Sequence, residues 1–279
     1  MDENVMNVLM KAIDASAHLS GKVLVVKVGG NVLTDEVSKD AFVKDIAFLT
    51  RLGIRPLIVH GGGPEITAMM EKLGMKPIFK HGYRVTDEET LKIVEMVLNK
   101  TNKDLVVALN LSGVMAVGLC GKDANFLIAE KDTTYGDIGY VGRVKRVNDK
   151  IIQLLFESDY VPVIAPIGVG EDGTAYNLNA DVVAAQVAIA LNAETVIFMT
   201  DIDGVMREGR VIPQLKVDEA LKLIEDGTVK SGMVPKLQYA IEAVKGGVKS
   251  AHIINGKEPH ALLIKLFVSQ RIGTTITKD

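Results

Sequence analysis

The chain carries one cysteine in 279 residues, so no internal disulfide is possible. Cys120 sits in an apolar segment and reads as a small core residue. No C-x-x-C pair and no Cys/His cluster suggests zinc. No uncharged apolar run reaches the length that spans a bilayer. Met1-Asp-Glu-Asn-Val5 has neither the basic start nor the apolar stretch of a secretory leader, so a cytoplasmic location is the default expectation. Charge of one sign is also missing. The formal net charge is −3 and Arg and Lys are scattered, with the pair in Val144-Lys-Arg-Val147 read as a solvated strand face. Neither nucleic acid nor an anionic membrane is expected as a partner. No segment is low in complexity, and no linker is rich in Pro, Gly or Ser.

Several catalytic signatures are absent as well. There is no G-x-x-x-x-G-K-[ST] phosphate loop, no G-x-S-x-G nucleophile elbow to accompany His60-Gly-Gly-Gly63, and no H-R-D or D-F-G. Gly168-Val-Gly-Glu-Asp-Gly173 matches G-x-G-x-x-G literally, but no helix begins inside it. Asp172-Gly173 is a strong turn signal, so a tight turn is expected there rather than a nicotinamide site.

What is present is ordinary in bulk, 48% hydrophobic and 24% charged, and long enough for a large core in two lobes. Short β-branched runs alternate with amphipathic stretches. Strands are expected at Val23–Val28, Pro56–Val59, Met115–Leu119, Phe126–Ala129, Tyr140–Val147, Val161–Ile167, Thr195–Met199, Ala251–Ile254 and Thr274–Thr277. Helices are expected at Ser38–Leu52, Glu65–Leu73, Asn148–Glu157, Asp181–Leu191, Val217–Glu225, Pro235–Lys245 and Pro259–Phe267, with a long one to Leu111 opened by a capping box at Thr86-Asp-Glu-Glu89. The pattern predicts an α/β fold: a mostly parallel central sheet covered on both faces, with a soft lobe boundary near Ala175. Ahead of it, Val5, Val8, Leu9, Ala12 and Ile13 recur at helical spacing. That amphipathic helix, residues 1–20, packs on its own subunit or on another chain.

The residues with chemistry are spread along the chain. Lys27 ends an apolar strand just before Gly29-Gly30, and Gly61-Gly62-Gly63 follows a second strand and precedes a helix. Glycine loops of this kind let backbone N–H groups approach an anion. Arg84 offers a fork suited to a carboxylate. Asn177 and Asp181 lie around the start of an apolar helix, where Asp181 is either an N-cap or part of a ligand site. Lys236 occupies the first turn of a helix, where a cation is unfavourable unless an anion accompanies it.

As a set, Lys27-Val-Gly-Gly-Asn31, His60-Gly-Gly-Gly-Pro64, Gly82-Tyr-Arg-Val-Thr-Asp87, Gly121-Lys-Asp123, Tyr176-Asn-Leu-Asn-Ala-Asp181, Thr200-Asp-Ile-Asp-Gly-Val205 and Gly232-Met-Val-Pro-Lys236 resemble the amino acid kinase family. The resemblance runs from about Gly21 to the end. It implies a three-layer αβα sandwich with an amino-acid lobe (21–175) and an ATP lobe (176–279). It also implies ATP-dependent phosphorylation of a carboxylate, with N-acetyl-L-glutamate as acceptor and Mg²⁺ carried by the nucleotide rather than by a protein metal site. Lys27 and Lys236 would stabilise the transferring phosphoryl group and Asp181 would hold both lysines. Gly29, Gly30, Gly62 and Gly63 would donate N–H groups, Arg84 and Asn177 would bind substrate carboxylates, and Thr200, Asp201 and Gly204 would contact nucleotide. A homodimer or a hexameric trimer of dimers is implied, the N-terminal helix resembling the extension of arginine-inhibited members. The sequence departs from the family pattern at Val28, where tyrosine is frequent, and at Ala124, where glycine is. Ser269-Gln-Arg-Ile-Gly-Thr274 also lacks the acidic residue of the arginine-inhibited members. Competing readings are a kinase for carrier-linked glutamate or aminoadipate, and a non-catalytic sensor of nucleotide or arginine.

Overall fold

In the computed structural model, residues 3–230, 232–268 and 272–278 are described. The first half runs α1 (Glu3–Leu19), β1 (Val23–Val28), α2 (Gly30–Leu33), α3 (Glu36–Arg51), β2 (Arg55–His60), α4 (Gly63–Lys72), β3 (Phe79–Lys80), β4 (Tyr83–Arg84), α5 (Glu88–Leu111), β5 (Ala116–Cys120), β6 (Leu127–Lys131) and β7 (Val141–Val147). Then come α6 (Lys150–Glu157), β8 (Val161–Ala165), β9 (Ile167–Val169), β10 (Ala175–Leu178), α7 (Ala180–Ala190), β11 (Thr195–Thr200), β12 (Met206–Arg207), β13 (Arg210–Val211) and β14 (Gln214–Lys216). The chain ends with α8 (Val217–Glu225), α9 (Met233–Lys245), β15 (Ser250–Asn255), α10 (Ala261–Leu263) and β16 (Thr274–Thr277).

Eight strands form the central sheet in the order β14-β16-β15-β11-β1-β2-β8-β5. It is parallel except that β14 and β16 run against the other six. Strand β1 is its spine. Leu24, Val26 and Val28 enter the core shared with α3, α5 and α10, whereas Val25 enters the core shared with α6, α7, α8 and α9. Residues i and i+2 of a strand share a face, so Lys27 projects with Val25 toward the α7 and α9 side. This is the expected three-layer arrangement.

The sheet is continuous. Strands from residues 23–165 make one half and strands from 195–277 the other, while Ala175 opens β10. Strands β6, β7, β9 and β10 close a small barrel beside the sheet. The expected single strand Val161–Ile167 divides at Pro166: β8 stays in the sheet and β9 turns into the barrel. Gly168 and Val169 end β9, and residues 170–174 make the hairpin turn to β10, with Asp172 Oδ1 accepting from Thr174 N at 3.0 Å.

Three other expectations change. The cap of α5 is Asp87, which accepts from Thr90 N at 2.8 Å, whereas Thr86 is buried and its hydroxyl donates to Arg84 O. Asn179, not Asp181, caps α7, accepting from Asp181 N at 2.8 Å. The expected helix Pro259–Phe267 starts at Ala261 and passes into a π turn over Ile264–Val268. Ala124 adopts φ +50°, the left-handed region where glycine costs least. Helix α1 packs Ala12, Ala15 and Leu19 on its own subunit and exposes Met6, Met10 and Ile13. The side chains of Val5, Val8 and Leu9, and residues 269–271 of the Ser269–Thr274 segment, lie outside the described part.

Candidate active site

Strands β1 and β2 are parallel neighbours with Val28 opposite His60, so the two glycine turns leave the sheet side by side. Gly61 N donates to Val28 O at 2.9 Å. A Cβ on Gly30 would stand 2.7 Å from Pro64 Cδ, and one on Gly61 would stand 3.2 Å from Gly30 N. Approaches this close leave little room for a side chain at Gly30 or Gly61.

Asp181 begins the inward face of α7, and Lys236 lies on the first turns of α9, on the same side of the sheet as Lys27. Lys27 Nζ is 3.0 Å from Asp181 Oδ1, and Lys236 Nζ is 3.4 Å from Asp181 Oδ2. One buried carboxylate thus sits between two ammonium groups drawn from opposite ends of the sequence. Burial pushes the Asp181 carboxyl up, but the charges of Lys27 and Lys236 outweigh it and hold it below the usual carboxylate range. The carboxylate also accounts for the cation placed against the dipole of α9.

The lysines and both glycine turns line a cavity of about 250 Å³ together with Asn31, Thr200 and Asp201. Asn31 Nδ2 donates to Asp201 Oδ2 at 3.2 Å, tying the first glycine turn to the end of β11. Burial raises Asp201, and hydrogen bonds from its own backbone, Thr200 and Asn31 bring it below its ordinary value.

Gly61, Gly62 and Gly63 also line a second cavity of about 200 Å³, with Arg84 and Asn177 in its wall. Arg84 is buried and donates to Gly63 O at 3.0 Å and Thr67 Oγ1 at 2.8 Å, its guanidinium 4.8 Å from the Phe79 ring centre. Among the described residues no carboxylate lies within salt-bridge distance of it, and burial lowers its pKa. A buried guanidinium without a carboxylate partner offers a planar fork of the kind that suits one. Asn177 Nδ2 donates to Thr86 Oγ1 at 3.1 Å. Gly204 lines neither cavity; it packs against Thr274, whose Oγ1 would stand 2.8 Å from a Cβ there.

A larger cavity of about 880 Å³ lies between α1, strands β15 and β16 and residues 265–268. It contains neither lysine of the pair nor any glycine of the two turns, so the chemistry points to the two smaller cavities that share Gly61, Gly62 and Gly63. Among the described residues no cluster of three or more His, Cys, Asp or Glu is arranged to hold a metal ion.

Sequence reasoning assigned no role to Asn31, although it closes the Lys27-Val-Gly-Gly-Asn31 motif. It also missed Tyr83 and Tyr239, whose hydroxyls lie 2.8 Å apart and join the β3–β4 hairpin to α9. No local pattern links two tyrosines so distant in sequence.

Residues 22–255 match the model of the amino acid kinase family. The chain belongs to that family. It is 53% identical over 277 residues to an acetylglutamate kinase of Kosmotoga olearia, spanning 99% of this chain and 98% of that protein. An acetylglutamate kinase of Methanocaldococcus jannaschii is 47% identical, spanning 98% and 96%. Among solved structures, the N-acetylglutamate synthase of Neisseria gonorrhoeae with coenzyme A and N-acetyl-glutamate superposes with a TM-score of 0.89 at 27% identity. That match covers 98% of this chain but only 63% of the synthase. Carbamate kinase of Giardia lamblia bound to AMP-PNP, at TM-score 0.68 and 17% identity, shares the fold.

Proposed function

We propose that the chain transfers the γ-phosphoryl group of ATP to the γ-carboxylate of N-acetyl-L-glutamate, giving an acyl phosphate in arginine biosynthesis. Near-full-length relatives named acetylglutamate kinase support this reading. The observation that carries it is the pair of lysines on one buried carboxylate, lining a cavity that shares Gly61, Gly62 and Gly63 with the Arg84 pocket.

The acceptor is bound in the Arg84 cavity, where Arg84 and Asn177 hold its carboxylates. The phosphates occupy the Lys27 cavity, with Thr200, Asp201 and the loop to Gly204 on the nucleotide side. Residues 21–175 thus serve mainly the acceptor and residues 176–279 mainly the nucleotide. A carboxylate oxygen forms a bond to the γ-phosphorus as the bond to the bridging oxygen breaks, and ADP leaves with that electron pair. Negative charge spread over the equatorial oxygens is met by Lys27, Lys236 and the N–H groups of Gly30, Gly62 and Gly63, whereas the Gly29 N–H, expected to join them, donates instead to Met199 O at 3.2 Å. The acceptor carboxylate is ionised at neutral pH, so no general base is needed. Mg²⁺ carried on the phosphates would supply further charge neutralisation; Asp181 is committed to two lysines and Asp201, in the cavity wall, accepts from Asn31 and Thr200, so the nucleotide rather than the protein would hold the ion. We place the enzyme in the cytoplasm as a homodimer or a trimer of dimers.

The test is acyl phosphate trapped as hydroxamate, with N-acetylglutamate set against glutamate, aspartate and a carrier-linked glutamate. Product with N-acetylglutamate and ATP is expected. Product only with the carrier-linked acceptor selects the carrier-dependent activity, and none with any acceptor selects a non-catalytic sensor.

A further inference from the structure

We propose that His60 is a positioning residue: its neutral Nδ1–H tautomer pins the Gly61 carbonyl and so aims the Gly62 N–H into the phosphoryl cavity. The inference rests on the phosphoryl-transfer reading of that cavity.

The donors and acceptors around the His60 ring have one solution. Val163 O lies 2.9 Å from Asn102 Nδ2, and a carbonyl only accepts, so the amide orientation is fixed. The same Nδ2 is 3.2 Å from His60 Nε2, so that ring nitrogen is the acceptor. The ring proton is therefore on Nδ1, 3.0 Å from Gly61 O, which accepts it. Both His60 and Asn102 are buried, at 0% and 1% exposure, so water does not compete for these bonds.

The consequence lies in the next peptide. No peptide in the described chain is cis. In a trans peptide, C=O and N–H point in opposite directions. With Gly61 O drawn down onto the buried ring, the Gly62 N–H points away from it, toward the cavity that Gly62 lines. The restraint matters because this peptide joins two glycines, which resist rotation about φ and ψ least of all residues. Left alone it would sample both orientations, one of which presents a carbonyl oxygen to an incoming phosphate. Burial also lowers His60 to about 4, so the ring stays neutral and keeps one proton, on Nδ1, across the ordinary working range.

Nitrogen-15 NMR of the histidine side chains in the wild-type enzyme reads the tautomer directly; Nδ1–H is expected and Nε2–H overturns the proposal even if no variant folds. Kinetics supply the second arm. His60→Leu keeps apolar bulk without a donor, and His60→Asn keeps an amide donor near the Nδ1 position. His60→Leu is expected to lose kcat on the order of 10²-fold while the KM values for ATP and N-acetylglutamate move little. His60→Asn should recover most of that loss, although both variants lose stability. A folded His60→Leu enzyme with normal kcat, or a His60→Asn enzyme as slow as it, overturns the proposal. Lys236→Ala is the control for the site itself: full turnover there brings down the cavity reading and this inference together, whereas a slow Lys236→Ala beside a normal His60→Leu brings down this inference alone.

Discussion

Asp181→Asn isolates the central electrostatic device, because the substitution preserves volume and removes one charge. Asp181 attracts Lys27 at 3.0 Å and Lys236 at 3.4 Å. At an effective dielectric near 20 these attractions are about 5.5 and about 4.9 kcal/mol. Burying three charged groups offsets most of that sum. Breaking such a cluster from one side costs about 3–5 kcal/mol, since the remaining charges stay buried without compensation. In a chain of this size the loss lowers the melting temperature on the order of 10 °C. Phosphates bound in the cavity replace the missing negative charge, so Mg-ATP should recover more stability in the variant than in wild type. The KM for ATP should therefore hold or fall while kcat drops, because the lysines are no longer held at fixed positions. Calorimetry with and without Mg-ATP, beside steady-state kinetics, reads all three effects. The pH dependence has a definite sign. The folded carboxyl titrates below its ordinary value of 3.8, so its stabilisation is full above the unfolded pKa and is lost as pH falls through the folded one. The gap between wild type and variant should stay constant above about pH 5 and close only below about pH 4. A loss under about 1 kcal/mol with unchanged kcat would show that no coupled charge cluster exists.

Lys236→Ala should lose on the order of 10²–10³ in kcat, and Lys27→Ala more, because Lys27 is the more deeply buried of the two; turnover near the wild-type rate in either contradicts its assignment. Arg84→Lys should raise the KM for the acceptor about 10- to 100-fold and leave the KM for ATP nearly unchanged, since the planar fork is lost at a buried site; a change confined to ATP would reverse the placement of the two substrates. Tyr83→Phe and Tyr239→Phe should be non-additive in kcat/KM by about 1 kcal/mol if their hydrogen bond couples the hairpin to α9; strict additivity removes that coupling. The kcat profile should be level from about pH 6 to 8, and an acidic limb near 6.5 would instead reveal a histidine base.

The sheet was legible because its strands are apolar runs ending at glycines. The parallel direction follows from helices alternating with those runs, whereas the order, with β1 between β2 and β11, comes from the tertiary fold. Boundaries failed where two local signals compete. Thr86 and Asp87 are both capping residues standing together, and only the burial of Thr86 under Gly139 decides between them. Pro166 divides one apolar run between two sheets, which no periodicity records. At the site, glycine turns and charged residues out of place on apolar elements were readable, since each breaks a local rule. Gly204 followed from a motif, yet the backbone there closes on Thr274 rather than on a cavity. The links from Asn31 to Asp201, Tyr83 to Tyr239 and Asn102 to His60 are tertiary, and single-sequence patterns carry no trace of them.

The distribution of histidine bears on the kind of catalysis this site performs. The chain has five histidines, and among the described residues none lines either half of the cleft. His252 is buried and pushed down to about 3, and His60 to about 4, so both are neutral and structural at the pH where the enzyme works. A hydroxyl acceptor would need a base poised to take its proton, and the carboxylates at the site are already engaged, Asp181 by two lysines and Asp201 by Asn31 and Thr200. A carboxylate acceptor needs only to be brought to the phosphorus against charge repulsion. Two anions are to be held together, and the cleft supplies two lysines on one side, a buried arginine on the other and N–H groups between them. The charge arrangement therefore suits a carboxylate acceptor, the class that the relatives' names also point to.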